Sequence, residues 1–219
     1  MNNSDPNVSE PPSIAIIGAG NVGQALARAF TRNGEAVCLG VPDPDKYRSA
    51  VAALGPHAQL GSVGAAIDAG EVVILAVPYA AAESVARSIP DWAGRILVDA
   101  TNPLAPGLAG LSVGTHTSGA EQIAAAAHGA RVVKAFNTTG AENMADSRYP
   151  GGLPFMPVCG DDAAARARVL ALAELIGFDA VDFGELTAAR YLEPFAMAWI
   201  HMAFKLGLGR SFAFARLQR

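Results

Sequence analysis

The sequence predicts an α/β fold: a doubly wound, mostly parallel sheet with a short C-terminal helical cap. Three observations predict it. A β-branched run, Ser13-Ile14-Ala15-Ile16-Ile17, passes at once into Gly18-Ala19-Gly20-Asn21-Val22-Gly23 and then into helical spacing. Strand-like and helix-like runs then alternate as far as residue 185, the pattern that builds a parallel sheet covered on both faces. From Leu186 onward strand-like runs stop, and 186–219 reads as helix throughout, with Pro194 near a helix start and Gly207 and Gly209 as interruptions.

Residues 1–12 are polar and proline-rich, without the basic and apolar regions of a signal peptide, and read as a disordered tail. After the first strand, Gln24–Phe30 carries apolar residues at helical spacing, and Asn33-Gly34 is the stop. Ala36–Gly40 supplies the second strand and completes a βαβ unit. Further strands are expected near 58–60, 72–77, 95–100, 131–136, 155–160 and 179–183, with alanine-rich helices between most of them. The organisation is therefore an α/β domain over 13–185 and a helical cap over 186–219.

With 219 residues, 51% of them hydrophobic, the chain can bury a sizeable core, which excludes disorder of the whole. A net charge of −4 gives no broad basic field, so nucleic acid is not an expected partner. No apolar stretch near 18 residues runs free of Gly, Pro or charge, so no membrane span is expected and the cytoplasm is the expected compartment. Cys38 and Cys159 sit in apolar runs and read as small buried hydrophobes; no metal site is expected.

Gly18-x-Gly20-x-x-Gly23 follows a strand and opens a helix, the context that makes it a Rossmann-like phosphate loop. Gly18 permits the tight turn, Gly20 clears space for a pyrophosphate, and Gly23 lets helix and strand approach. Helix-start N–H groups and the macrodipole then hold the anion without a lysine. Gly40 stands where a carboxylate commonly binds the ribose hydroxyls of NAD, which favours NADP(H) and leaves NAD(H) as the alternative. Lys46 and Arg48 offer compensating charge, with Asp43 and Asp45 opposing them.

Ligands of such sheets lie across the carboxyl ends of the strands. Those ends are Ala76-Val77-Pro78, Thr101-Asn102-Pro103 and Phe136-Asn137-Thr138, each combining a rigid or aromatic residue with small hydrogen-bonding groups. The candidate cofactor residues are thus Gly18, Ala19, Gly20, Asn21, Val22, Gly23, Gly40, Lys46, Ala76, Val77, Pro78, Thr101 and Asn102. The candidate substrate-pocket residues are Pro103, Phe136, Asn137, Thr138 and, on the cap, Trp199. Lys134, inside a strand, reads as structural. The four histidines share no motif with a carboxylate or serine, so no catalytic acid or base is assigned.

Together the glycine loop, Ala76-Val77-Pro78, Asp99-Ala100-Thr101-Asn102-Pro103-Leu104, Ser118-Gly119-Ala120-Glu121, Val133-Lys134-Ala135-Phe136-Asn137-Thr138, Cys159-Gly160-Asp161-Asp162 and Gly209-Arg210-Ser211-Phe212 resemble the deazaflavin (factor 420)-dependent NADP reductase family. The cytosolic domain of six-transmembrane metalloreductases is similar. The resemblance implies a Rossmann-like fold and hydride transfer between NADP(H) and a deazaflavin or flavin coenzyme. Two rings held face to face with solvent excluded meet that need without acid–base groups. Family members often carry Gly-Val-Arg-Asp-Pro after the second strand, the arginine contacting the 2′-phosphate; here Pro42 replaces it. Competing readings are a non-catalytic NAD(P)-binding redox sensor and a small-substrate reductase of the pyrroline-carboxylate or hydroxyacid type. The cap is expected to roof the substrate pocket or to bury the surface of a homodimer.

Overall fold

The computed structural model describes residues 13–219, and the tail expected over 1–12 lies outside the described residues. In chain order the elements are β1 Ile14–Ile17, α1 Asn21–Arg32, β2 Val37–Gly40, α2 Pro44–Ala52, β3 Ala58–Gly61, α3 Val63–Ala69, β4 Val72–Leu75 and α4 Tyr79–Ser88. They continue as β5 Ile96–Asp99, α5 Gly119–Ala126, β6 Arg131–Lys134, α6 Ala141–Ala145, β7 Phe155–Gly160, α7 Ala163–Leu175, β8 Asp179–Asp182 and α8 Ala189–Ile200. The strands form one sheet in the order β3-β2-β1-β4-β5-β6-β7-β8. Six run parallel; β7 pairs antiparallel with β6 through Val133↔Gly160 and Lys134↔Cys159, and β8 returns parallel to β7. This is a Rossmann-like α/β fold.

Alternation along the central strands sets the two layers. Ile14 and Ile16 of β1 face one core with Leu26 and Phe30 of α1 and Val169 and Leu172 of α7. Ala15 and Ile17 face the other, with Ile67 of α3, Ala86 of α4, Ile123 of α5 and Leu192 of α8. Small alanines on these helices let them seat close to a sheet buried on both faces. The strand order reverses between β1 and β4, so the carboxyl ends of these two strands open a crevice.

The C-terminal segment differs from the sequence reading. Helix stops after α8 and one wider turn over His201–Lys205; residues 206–219 carry no helix. Gly207 and Gly209 adopt φ of 70° and 76°, a backbone that ends helices. Beyond them the chain runs back over the cap, Phe212 stacking on Trp199 and Phe214 packing at a tilt against Phe195. The Phe155 N–H donates to the Phe214 carbonyl at 2.8 Å, tying this tail to β7.

Candidate functional site

The glycine loop lies at the carboxyl end of β1. Its Gly18 N–H donates to the Gly40 carbonyl (2.9 Å), and the Gln24 side chain donates back to the Ala19 carbonyl (2.7 Å). Two of its glycines are demanded by the protein itself. Gly18 has φ of 106°, and a Cβ there would lie 2.5 Å from the Ala76 oxygen; a Cβ on Gly23 would collide with the Gly18 carbonyl. Gly20 is different. It is exposed, has an ordinary φ of −75°, and a Cβ on it would meet nothing within 4 Å. The protein's own packing gives no reason for glycine there. Gly20 also opens α1 with no side-chain cap and no acidic residue in the first turn, so the helix-start N–H groups face outward for an anion. The loop therefore fits a pyrophosphate.

From this loop a cleft of about 610 Å³ runs along the ends of β4 and β5, within the size range of small-molecule sites. It brings together Val22, Val77, Pro78, Thr101 and Asn102 of the sequence-predicted residues, and adds Tyr79, Leu104 and Ser112, which sequence reasoning did not assign. Ala76 stands beside it, its N–H held by the Ile17 carbonyl. Asn102 donates from Nδ2 to the Asn137 carbonyl (2.8 Å), and Asn137 Nδ2 donates to Asn102 Oδ1 (3.0 Å) and the Leu192 carbonyl (3.3 Å). Asn137 Oδ1 is buried without a partner. Tyr79 starts α4, and its hydroxyl donates to Gln122 Oε1 at 2.6 Å. Burial, with the charges of Glu193, Glu83 and Asp99, pushes this phenol up to about 12. It stays protonated at working pH.

Beneath the floor, Lys134 is fully buried and read correctly as structural. Its ammonium donates to Asp99 Oδ2 (2.8 Å), the Thr101 carbonyl (2.6 Å) and Glu193 Oε1 (3.0 Å). Asp99 accepts from the Thr101 N–H and hydroxyl, and Glu193 accepts from the Gly119 and Ala120 N–H groups at the start of α5. The cluster pins the Thr101–Asn102 turn, α5 and α8 to one another. Asp99 and Glu193 were the residues missed; the signal was a carboxylate in each of two apolar runs, Ile96–Ala100 and Leu192–Trp199.

Several predicted residues stand elsewhere. Phe136 points into the core, edge-on to Phe30 at 6.3 Å between ring centroids, because its left-handed backbone (φ 59°) turns the side chain inward. Trp199 is buried between Gly140 and Phe212, its indole N–H donating to the Phe212 carbonyl, and it does not line the cleft. Thr138 is buried with its hydroxyl 3.9 Å from the Met156 sulfur, and buried Pro103 offers its carbonyl to Ser112. Gly40 is glycine for packing: a Cβ would lie 2.8 Å from Ala66 Cβ and 2.9 Å from Ile17 Cδ1. Lys46 is exposed on α2, its ammonium 5.5 Å from the Tyr47 ring centroid.

A second cavity of about 410 Å³ lies on the far side of Ser112, which lines both. Its walls are Gly110–Thr115 and, from the cap, Pro194 and Met197; no charged side chain lines it. Among the described residues no helix is long and apolar enough to cross a membrane.

A family model described as NADP oxidoreductase, coenzyme F420-dependent, matches residues 13–103. A solved structure from Arthrobacter sp. FB24, given as a candidate F420-dependent NADP-reductase, is 32% identical with a TM-score of 0.82 and covers 94% of this chain and 100% of its own. A hypothetical protein from Sinorhizobium meliloti is also 32% identical, with a TM-score of 0.74 over 81% of this chain and 88% of that one. Metalloreductase STEAP3 of Rattus norvegicus is 29% identical over 184 residues, which is 84% of this chain. The chain spans about a third of that relative's length, 36%.

Proposed function

Since the chain belongs to the NADP oxidoreductase, coenzyme F420-dependent family, we propose that it binds NADP(H) along the cleft and passes a hydride to a deazaflavin or flavin ring in the adjoining cavity. The observation that carries this reading is Gly20: an exposed glycine, conformationally unforced, with empty space where its side chain would be. In this reading the α1 start and Gly20 hold the pyrophosphate, and Val22, Val77 and Pro78 flank the cleft toward Thr101 and Asn102. The Asn102–Asn137 pair offers amide groups to the nicotinamide end, and the unpartnered Asn137 Oδ1 is an acceptor in want of a donor. Ser112, which lines both cavities, and Pro194 and Met197 of the cap are the residues that would hold the second ring.

The reaction balances as NADPH plus oxidised acceptor plus one proton giving NADP⁺ plus reduced acceptor, the hydride carrying both electrons. The chain's part is to bind, orient and exclude water. Lys134 has all three of its protons engaged, and Tyr79 holds its own, so neither serves as a base.

The test is nucleotide binding by fluorescence, followed by anaerobic NADPH oxidation with a panel of deazaflavin, FMN, FAD and ferric chelates. Gly20→Asp, which sets a carboxylate against the diphosphate, is expected to abolish binding while the thermal melt stays that of the parent. Parental affinity in Gly20→Asp, or a panel in which no ring system oxidises NADPH, overturns the reading. Turnover with ferric chelate alone moves the acceptor from a ring to a metal complex.

A further inference from the structure

We propose that the adenosine-ribose end of the dinucleotide site admits NAD(H) at least as well as NADP(H), with Pro42, standing where the family often has arginine, and Asp43 beside it setting the preference. The inference rests on the dinucleotide reading above and deepens it. In doubly wound folds the adenosine ribose meets the end of the second strand, where a carboxylate accepts from the 2′-hydroxyl or an arginine nearby accommodates a 2′-phosphate. Here that end is β2, and packing dictates what it can present. Gly40 has no room for any side chain against Ala66 and Ile17, so the lack of a carboxylate at that position says nothing about a phosphate. Val41 is buried at 1% exposure. The first side chains to reach solvent are Pro42, which has neither charge nor donor, and Asp43.

Asp43 precedes α2 in extended backbone (φ −127°, ψ 92°), and its carboxylate makes no capping hydrogen bond. No ion pair or hydrogen bond engages that carboxylate among the described residues. The nearby cations are both occupied: Arg48 is paired with Asp45, and the Lys46 ammonium lies over the Tyr47 ring. The strand end therefore shows a carboxylate free to accept from ribose hydroxyls and no unengaged guanidinium to take up a phosphate. A hydroxyl donates to such a carboxylate; a phosphate dianion is repelled by it.

The experiment is isothermal titration of NADH and of NADPH, at one fixed ionic strength, into the full chain and into Asp43→Asn, Pro42→Arg and Lys46→Met. All three substitutions are at exposed positions, so thermal melts should match the parent. The parent is expected to bind NADH at least as tightly as NADPH. Asp43→Asn should weaken NADH by about tenfold while NADPH holds or tightens, since it removes a charge-assisted hydrogen bond and a repulsion together. Pro42→Arg should tighten NADPH by about tenfold and leave NADH nearly unchanged. A parent preference for NADPH of tenfold or more overturns the inference, and loss of that preference in Lys46→Met would identify Lys46 as the phosphate ligand. Equal losses of both nucleotides in Asp43→Asn overturn it as well. A parent that binds neither nucleotide fails at the earlier step, because the dinucleotide reading itself would then be wrong.

Discussion

Lys134 carries its ammonium to the centre of the sheet between two carboxylates, with Asp99, Lys134 and Glu193 all at or below 1% exposure. One cation against two anions leaves an excess negative charge, which the N–H groups of Thr101, Gly119 and Ala120 answer. Burial alone would push the Lys134 ammonium down, but Asp99 and Glu193 outweigh it and hold it above its usual value of 10.5. A folded value raised in this way means the stabilisation is fully present below pH 10.5 and is lost as pH rises through the folded value. Lys134→Met strands two buried carboxylates and should cost about 3–5 kcal/mol in urea unfolding. Adding Glu193→Gln should recover part of that loss; no recovery would show that the carboxylates are not what the ammonium compensates. At this scale the sequence was only half legible. Thr101 and Asn102 stand out at a strand end, and Lys134 reads as structural, but Glu193 gives no sign of its partner 59 residues away.

Helix starts repeat a local code, and that is why the elements were readable. Ser62, Ser118 and Asp162 accept from backbone N–H groups three residues on, at the starts of α3, α5 and α7. The Ser118 hydroxyl also donates to Glu121 Oε2 at 2.8 Å, so Ser118→Ala removes both bonds and should lose about 1 kcal/mol in a denaturant melt. At the carboxyl ends, where the chain turns to face the cleft, β4 and β6 came out two residues shorter than expected and β5 one residue shorter. The antiparallel direction of β7 was not legible, because hydrophobic pattern fixes which face a strand buries and not which way it runs. The helix expected over 206–219 failed for a long-range reason: Phe212 and Phe214 find aromatic partners on α8 that reward a returning chain. Gly140 at the start of α6 marks where that docking is tight. A Cβ there would lie 2.6 Å from Trp199 Cη2, so Gly140→Ala should displace the indole, shift its fluorescence and destabilise by about 1–3 kcal/mol. An unchanged emission spectrum would mean the cap sits more loosely than this geometry requires.

For the molecule as a whole, the two cysteines make its cooperativity measurable. Cys38 in β2 and Cys159 in β7 lie on opposite flanks of the sheet's centre, and both are free and buried. Burial raises both thiols, Cys159 to about 12 despite the opposing pull of Lys134, so neither supplies thiolate at neutral pH in the folded state. Reaction with an aromatic disulfide reagent therefore has to wait for the sheet to open. If β2 and β7 open only together, both thiols should label at one slow rate and both should label at once in denaturant. The same opening destroys the cleft proposed for the nucleotide, since its lining follows directly on the carboxyl ends of β4 and β5. Bound nucleotide should then slow both labelling rates by the same factor, about 100-fold at a ligand concentration of 100 times its dissociation constant. Should Cys38 label faster and ignore the nucleotide, the β3–β2 edge opens on its own and the binding energy is not shared across the sheet. Should both slow in parallel, occupancy of one crevice stabilises all eight strands, and the slowing measured at several concentrations yields the dissociation constant without any assay of turnover.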